Sequence, residues 1–298
     1  MSNSLGTLNG SIIAQRSLDI LKEQYPALSL ISTDFSDAQG DYGQSVVSRI
    51  IAPGTAGTYT TTGGFAASAL STSDVTVTIN NFVHSTVEIF PTEYSATKRN
   101  LVEEASNKIA VEIGDAIYTS IGALFTSGNF SQAVTQTVSG ATRSNVIVAA
   151  NTKLAKVKVN GEKFAILNPD LYGQLWTDES MVKQTWGAGG ISENALPKVH
   201  GVTLSQYTAL PTTGNLIGVV GRKDAIVIAT KLPADVGAMA ANIPRSSNVE
   251  AFTDADTGLT LQFRVSEDPN KGSIKIVGCL MYGVAVGNAS CLTRIVSA

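Results

Sequence analysis

Residues 50–73 read IIAPGTAGTYTTTGGFAASALSTS, and residues 75–90 read VTVTINNFVHSTVEIF. The first stretch carries no charge, and four Gly, six Thr, three Ser and five Ala account for 18 of its 24 residues. Such a composition cannot bury a core of its own. The second stretch alternates. Val75, Val77, Ile79, Val83, Val87 and Ile89 fall on one face, and Thr76, Thr78, Asn80, His84, Thr86 and Glu88 on the other, the period of a half-buried strand. As one continuous strand it would run ~53 Å at ~3.3 Å per residue, far beyond the usual length of about 3–10 residues. Gln44 to Ala52, on the near side of the uncharged stretch, is also strand-like. Two long strands joined by a soft tip describe a β-arm projecting from its own domain. An isolated two-stranded ribbon is marginal in water. Either the tip stays loose, as a Ser/Thr/Gly loop does, or a neighbouring molecule supplies the missing contacts.

Outward from the arm the pattern changes period. Residues 11 to 25 form an amphipathic helix with Ile12, Ile13, Leu18, Ile20 and Leu21 apolar, ended by Pro26. Asp34 to Tyr42 is a polar linker. After Pro91 a long helix is expected over Thr97 to Thr126, capped by Thr92 or Ser95, with Glu93 near its N-terminus. Its apolar stripe runs through Leu101, Val102, Ala105, Ile109, Ile113, Ala116, Ile117, Ile121 and Leu124, and Gly128 is the expected stop. Thirty residues would make a rod of ~45 Å. Residues 141 to 240 suggest an α/β unit: a helix over Ser144 to Lys156, a strand over Lys163 to Leu167, a helix opened by Asn168-Pro169-Asp170, and buried strands at Val199 to Leu204, Ile217 to Val220 and Ala225 to Ala229. The C-terminal stretch is β again, Leu259 to Val265 alternating and Ile274 to Val286 nearly continuous in apolar residues, with a turn over Glu267 to Gly272 between them.

The chain has 298 residues and a formal net charge of −3, from 21 Lys and Arg against 24 Asp and Glu. That balance excludes a polybasic nucleic-acid grip and an acidic tail. Charged residues are only 15%, against roughly 25% in ordinary soluble domains. The deficit means either a surface covered by other subunits or one rich in Ser, Thr and Gly. Two cysteines, Cys279 and Cys291, make neither a disulfide framework nor a four-thiolate zinc site. No secretory signal and no run of about 18 apolar residues is visible, so no membrane is expected as a partner.

Catalytic constellations are missing from the sequence. His84 and His200 stand 116 positions apart without a flanking ligand pattern. There is no Gly-x-Ser-x-Gly elbow, no phosphate-cradling Gly-x4-Gly-Lys motif and no dinucleotide fingerprint. Asp254-Ala-Asp256-Thr-Gly258 resembles the start of a calcium loop, but Val265 fills the position of the chelating Glu. No catalytic, metal or cofactor-binding residue is assigned, no cofactor is expected, and the chain is not expected to be an enzyme.

The order of parts (short N-terminal arm, long β-arm, long helix, α/β insertion, β-rich return) resembles the major capsid proteins of tailed bacteriophages, the Hong Kong 97-like fold. The stretch His200-Gly-Val-Thr-Leu-Ser-Gln-Tyr-Thr-Ala-Leu-Pro211 is similar to a Gly-x-x-Val-x-x-Ser-x-x-x-Pro pattern of that family's axial domain, with Leu204 where Val is frequent. Gly221-Arg-Lys-Asp-Ala225 and Phe164-Ala-Ile-Leu-Asn-Pro-Asp170 resemble the turn and the strand-to-helix step that accompany it. The resemblance implies an α+β fold divided into an N-terminal arm (1–40), an extended β-hairpin loop (41–90), a peripheral domain with a spine helix (91–140), an axial domain (141–244) and return strands of the peripheral domain (245–298). It implies self-assembly as hexamers and pentamers into an icosahedral shell. Tyr59, Phe65 and Trp186 are aromatics in loop-like or exposed segments, the kind that dominates protein–protein contacts, and with Leu70 they are the expected subunit contacts. Implied partners are other copies of the chain, packaged double-stranded DNA bound without sequence specificity, and scaffolding, portal and decoration proteins, in a virion made in a bacterial cytoplasm. No Lys lies between Lys22 and Lys98, so the covalent cross-link made by a loop lysine in the founding member is not expected here. A long helical leader ahead of the arm is also not expected. The rival shell is an encapsulin-like nanocompartment. From different classes come a secreted Ser/Thr/Gly-rich hydrolase, which lacks its nucleophile and base, and an adhesin module, disfavoured by the long helix.

Overall fold

The computed structural model describes residues 10–34, 43, 45–51, 58–62, 72–96, 101–136, 144–175, 198–233, 247–253 and 259–298. Among the described residues the strands form two six-stranded sheets and a two-stranded ribbon whose base packs on the first sheet.

The apolar stripe found by periodicity becomes the central helix. Its buried positions include Ala105, Ile109, Ile113, Ile117 and Ile121, at the i, i+4 spacing that lines one face. Each buried Ile contributes about 1.5–3 kcal/mol as an upper bound. The helix ends two residues before its stripe does, and residues 97–100, where it is expected to begin, lie outside the described residues. A one-and-a-half-turn helix α2 (Pro91–Ala96) precedes it, and α3 spans Leu101–Gly122, 22 residues or about 33 Å. It stops at Gly122 because the chain turns there. Leu124 and Phe125 donate to the Ile121 and Gly122 carbonyls, and Asn129 Nδ2 caps the Leu124 carbonyl at 2.9 Å. At the start of α2 the cap also differs from expectation. Pro91 occupies the first helical position, and the Phe90 N–H is satisfied by Glu93 Oε2 at 3.3 Å, the reach-back half of a capping box.

The first sheet is built on β13 (Ser273–Val286), long enough to carry two neighbours end to end on one edge. β12 (Thr260–Asp268) pairs its first half and β10 (Ile226–Lys231) its second. β11 (Ser247–Thr253) extends the sheet beyond β12, and β1 (Ser32–Asp34) runs parallel to β10. The other edge of β13 takes β4 (Asn81–Ile89), from Ile89 opposite Ile274 to Asn81 opposite Tyr282. The second sheet has the order β5 (Ala133–Gln136), β14 (Leu292–Ser297), β9 (Leu216–Arg222), β6 (Lys163–Leu167), β8 (Val202–Gln206), β7 (Lys198–Val199), with β6–β8 and β5–β14 parallel. Three strands cross the boundary expected from chain order: β10 joins the first sheet, and β5 and β14 the second. β7 and β8 are separated by a turn at His200 and Gly201, whose φ angles are 50° and 78°.

Helix α4 (Ser144–Lys156) lies against the second sheet with Val146, Ile147, Ala150 and Leu154 buried. Helix α5 (Pro169–Leu175) opens as expected, with the Leu171 N–H donating to the Asn168 side chain at 2.9 Å. Helix α1 (Gly10–Gln24) is buried along Ser17, Leu18 and Leu21 against α3, where Ser17 Oγ donates to the Ser106 carbonyl at 3.1 Å.

The expected strand from Val75 to Phe90 is two strands in two different sheets. β3 (Thr72–Thr78) pairs only with β2 (Ser45–Ile51), and the chain breaks at Ile79 and Asn80 before β4 begins. The partner strand explains the break. β4 follows β13 as far as Tyr282, and the next residue on β13 is Gly283. There the chain lifts over the sheet, with the Thr78 carbonyl packed where a Cβ on Gly283 would stand. The alternation falters there, with Asn81 on the apolar face and Phe82 on the polar one, and resumes in the same phase at Val83, so the pattern reads as one strand.

A two-stranded ribbon as candidate subunit interface

The ribbon's local chemistry follows from its cross-strand pairs. Ser45 stands opposite Thr78, Val46 opposite Val77, Val47 opposite Thr76, Arg49 opposite Asp74 and Ile51 opposite Thr72. Strand alternation divides the root of the ribbon into two faces. One carries Val46 with Val77 and Val75. The other carries Ser45 and Val47 with Thr78 and Thr76. At the base of this second face the Ser45 and Thr78 hydroxyls meet at 3.2 Å.

This chain covers the base of the apolar face. Val46, Val77 and Ile79 are buried in a small cluster with Val227, Ala229 and Met281 of the first sheet, joined by the partly buried Val75 and Ala285. The Gly43 N–H closes the base onto the Ile79 carbonyl at 2.8 Å. On the opposite face Val47 is 56% exposed. Thr58 to Thr62, which lie between the two strands in sequence, are all exposed, and Tyr59 is 57% exposed. Among the described residues the ribbon pairs with no third strand, so its backbone ladder is two strands wide and its outer edges face away from it, the situation that favours pairing with another chain.

Of the four expected contact residues, Tyr59 is placed on the solvent side of the ribbon region. Phe65, Leu70 and Trp186 lie outside the described residues. The structure adds an exposed apolar residue that the sequence pattern does not single out: Phe82, 51% exposed beside the ribbon's root on β4. A signal for it exists, since Phe82 shares the polar face of that strand with His84, Thr86 and Glu88.

The root of β4 is fixed by polar contacts. Ser273 Oγ donates to Glu88 Oε1 at 2.6 Å, and Lys271 Nζ lies 3.5 Å from the same oxygen. The Ser273 hydrogen bond, aided by Lys271 and Lys275, holds the Glu88 carboxyl below the usual carboxylate range. Ser85 Oγ donates to Glu112 Oε2 at 2.6 Å, and Lys108 Nζ donates to the Thr86 carbonyl at 3.2 Å, tying β4 to α3.

The groups that could do chemistry are placed apart. His84 is exposed on β4, and His200 is exposed in the β7–β8 turn. Cys279 and Cys291 are buried and unpaired with each other, and burial pushes both thiols up, away from the thiolate form that reactivity needs. Among the described residues no group of three His, Cys, Asp or Glu could hold a metal. The Asp254 to Gly258 segment lies outside them. No helix of the described residues is long and apolar enough to cross a membrane.

No family model matches the sequence, and no curated protein matches it. Solved structures do match in fold. The chain is similar to the capsid structure of the cyanophage P-SCSP1u, at 12% identity and a TM-score of 0.57, over 90% of this chain and 86% of that one. It is similar to a chain of Mycobacterium phage Adephagia at 10% identity and a TM-score of 0.56, over 91% and 89%. It is also similar to the virus-like particle from Pyrococcus furiosus at 10% identity and a TM-score of 0.53, over 96% and 98%. The chain therefore has the Hong Kong 97-like α+β capsid fold that its order of elements suggests.

Proposed function

We propose that this chain is a major capsid protein, copies of which assemble as hexamers and pentamers into an icosahedral shell around the double-stranded DNA of a tailed phage. The observation that carries the reading is the ribbon. It is rooted on its own first sheet and pairs with no third strand among the described residues, within a fold shared along nearly its whole length with capsid chains. A ribbon of that kind gains backbone hydrogen bonds and buried area when it lies on a second copy. Heterologous contacts of this sort generate rings when the rotation closes, and a subunit that touches several neighbours needs no single large interface.

In this reading residues 1–40 form the N-terminal arm, 41–90 the extended loop, 91–140 with 245–298 the peripheral domain around α3, and 141–244 the axial domain, with β10 lent to the first sheet and β5 and β14 to the second. Tyr59, Phe65, Leu70 and Trp186 make subunit contacts. The weak net charge of −3 suits a container that does not grip its DNA, because each phosphate contact adds salt-dependent affinity. Scaffolding, portal and decoration proteins are further partners, and the virion is the site of action.

A nanocompartment shell without a genome is the second reading, favoured by the 96% and 98% mutual coverage with the virus-like particle from Pyrococcus furiosus. Purification of the chain, followed by negative-stain microscopy and nuclease-protection of its contents, tests both. Closed shells with protected double-stranded DNA support the capsid reading. Closed shells filled with protein support the compartment. A monodisperse monomer in light scattering overturns both.

A further inference from the structure

Helix α4 ends in a short link to β6, and that link holds an asparagine followed by a glycine. The Lys158 N–H donates to the Ala155 carbonyl and the Val159 N–H to the Leu154 carbonyl, with Lys158 at a φ of 62°, the left-handed conformation that closes many helices. Val159 is buried and anchors the chain. Asn160, Gly161 and Glu162 then run through solvent, all three exposed, with Gly161 at a φ of 106°. Lys163 begins β6 and is buried again, its Nζ donating to Asn151 Oδ1 of α4 at 2.5 Å.

The main-chain nitrogen after an asparagine can close a five-membered ring onto the side-chain carbonyl carbon. A side chain on the following residue crowds that closure, and glycine has none. A hydrogen bond to either group would hold it out of reach. Among the described residues neither the Asn160 carboxamide nor the Gly161 N–H makes one. Other asparagines differ on both counts. The side chains of Asn129, Asn151, Asn168 and Asn288 are hydrogen-bonded, and the residues that follow them, Phe130, Thr152, Pro169 and Ala289, all carry side chains.

We propose that Asn160 is a site of spontaneous modification in the folded subunit. Hydroxide takes the Gly161 amide proton, and the nitrogen bonds to Asn160 Cγ. The Cγ–Nδ2 bond breaks, and ammonia leaves with a proton from water, which regenerates the hydroxide. The cyclic imide then takes up water at one of its two carbonyls and opens to aspartate or isoaspartate. The net change is water consumed and ammonia released, with no oxidant or reductant. Both products place a carboxylate just beyond the C-terminus of α4, where the helix dipole disfavours negative charge. Isoaspartate also reroutes the main chain through the side-chain carbon, lengthening a link held at both ends by the buried Val159 and Lys163. The modified subunit is therefore less stable. The site belongs to the subunit and does not rest on the shell reading.

Incubation of the purified full chain at pH 6 and at pH 8.5, followed by peptide mass mapping and labelling with an isoaspartyl methyltransferase, tests it. Asn160→Gln is the companion variant, and Asn9-Gly10, the other such pair in the sequence, is read as a separate peptide. The folded native chain is expected to gain acid mass and methyl label at Asn160, several-fold faster at pH 8.5 and well ahead of Asn129, Asn168 and Asn288. Its melting temperature is expected to fall on ageing more than that of Asn160→Gln. Asn160 left intact in the folded chain overturns the proposal, the urea-unfolded chain showing that the assay reads the site. Reaction at Asn160 no faster than at Asn129 and Asn288 overturns it as well.

Discussion

An added Cβ at Gly283 would collide with the carbonyl of Thr78, a backbone atom that cannot rotate away. Gly283→Ala is therefore expected to push the ribbon's root off the first sheet, at a cost of roughly 1–3 kcal/mol. Faster hydrogen exchange over 45–51 and 72–78, with α3 and the second sheet unchanged, would show it. Tyr207 contributes to the alkaline limb of stability alongside Tyr25, Tyr118 and Tyr282, whose phenols burial also pushes up. Burial first, then Asp115, pushes the Tyr207 phenol up to about 12 from an ordinary value of 10, so its neutral form is favoured in the folded state. The sign follows from linkage. This contribution is fully present below about pH 10 and is lost as pH rises from there towards 12. Melting temperature measured between pH 9 and 12 should fall in that window, and Tyr207→Phe should make the fall shallower, without abolishing it, while lowering the plateau through the lost Asp115 bond. Neither residue announces its role in the sequence. Gly283 sits in an apolar run where a small residue reads as ordinary packing, and Tyr207 lies next to a strand whose partner helix is about 90 positions away.

Elements are legible where their determinants are local. The sequence pattern predicts α4 and β6 to the residue, because an amphipathic period and a short apolar run each complete themselves within one segment. α3 is legible as a stripe but not in length, since its stop is set by the turn at Ile121 to Phe125. The break between β3 and β4 shows in the sequence only as the faltering at Asn80-Asn81-Phe82, because the same phase of alternation resumes on a different partner strand. The root of β4 carries a testable charge. Glu88, held below the usual carboxylate range by Ser273, contributes stability above that range and loses it as pH falls through and below it. Glu88→Gln should lower the neutral-pH melting temperature modestly and shallow the acid limb below pH 5. The ribbon itself is separable from the core by the same logic. Joining Ile51 to Thr72, which face each other across the ribbon, through an Asn-Gly turn should leave the folded subunit stable. Assembly into shells, followed by light scattering, should be lost.

At the scale of the whole molecule, chain order defines the parts and contact between distant strands defines their arrangement. The exchange of β5, β10 and β14 between sheets joins the two parts, so separating them would leave each sheet missing a strand. The charge deficit, compatible with either a covered surface or a Ser/Thr/Gly-rich one, meets in the structure an exposed Val47, Tyr59 and Phe82 at and around the ribbon. A solitary subunit would leave these apolar groups in water. The most direct measurement is a cryo-electron microscopy reconstruction of the assembled particle in which residues 45–78 are traced from root to tip. The expected result is a tip lying on an adjacent copy, with Tyr59 buried between the two. A tip folded down onto its own subunit, in a particle or in a stable monomer, would contradict the account.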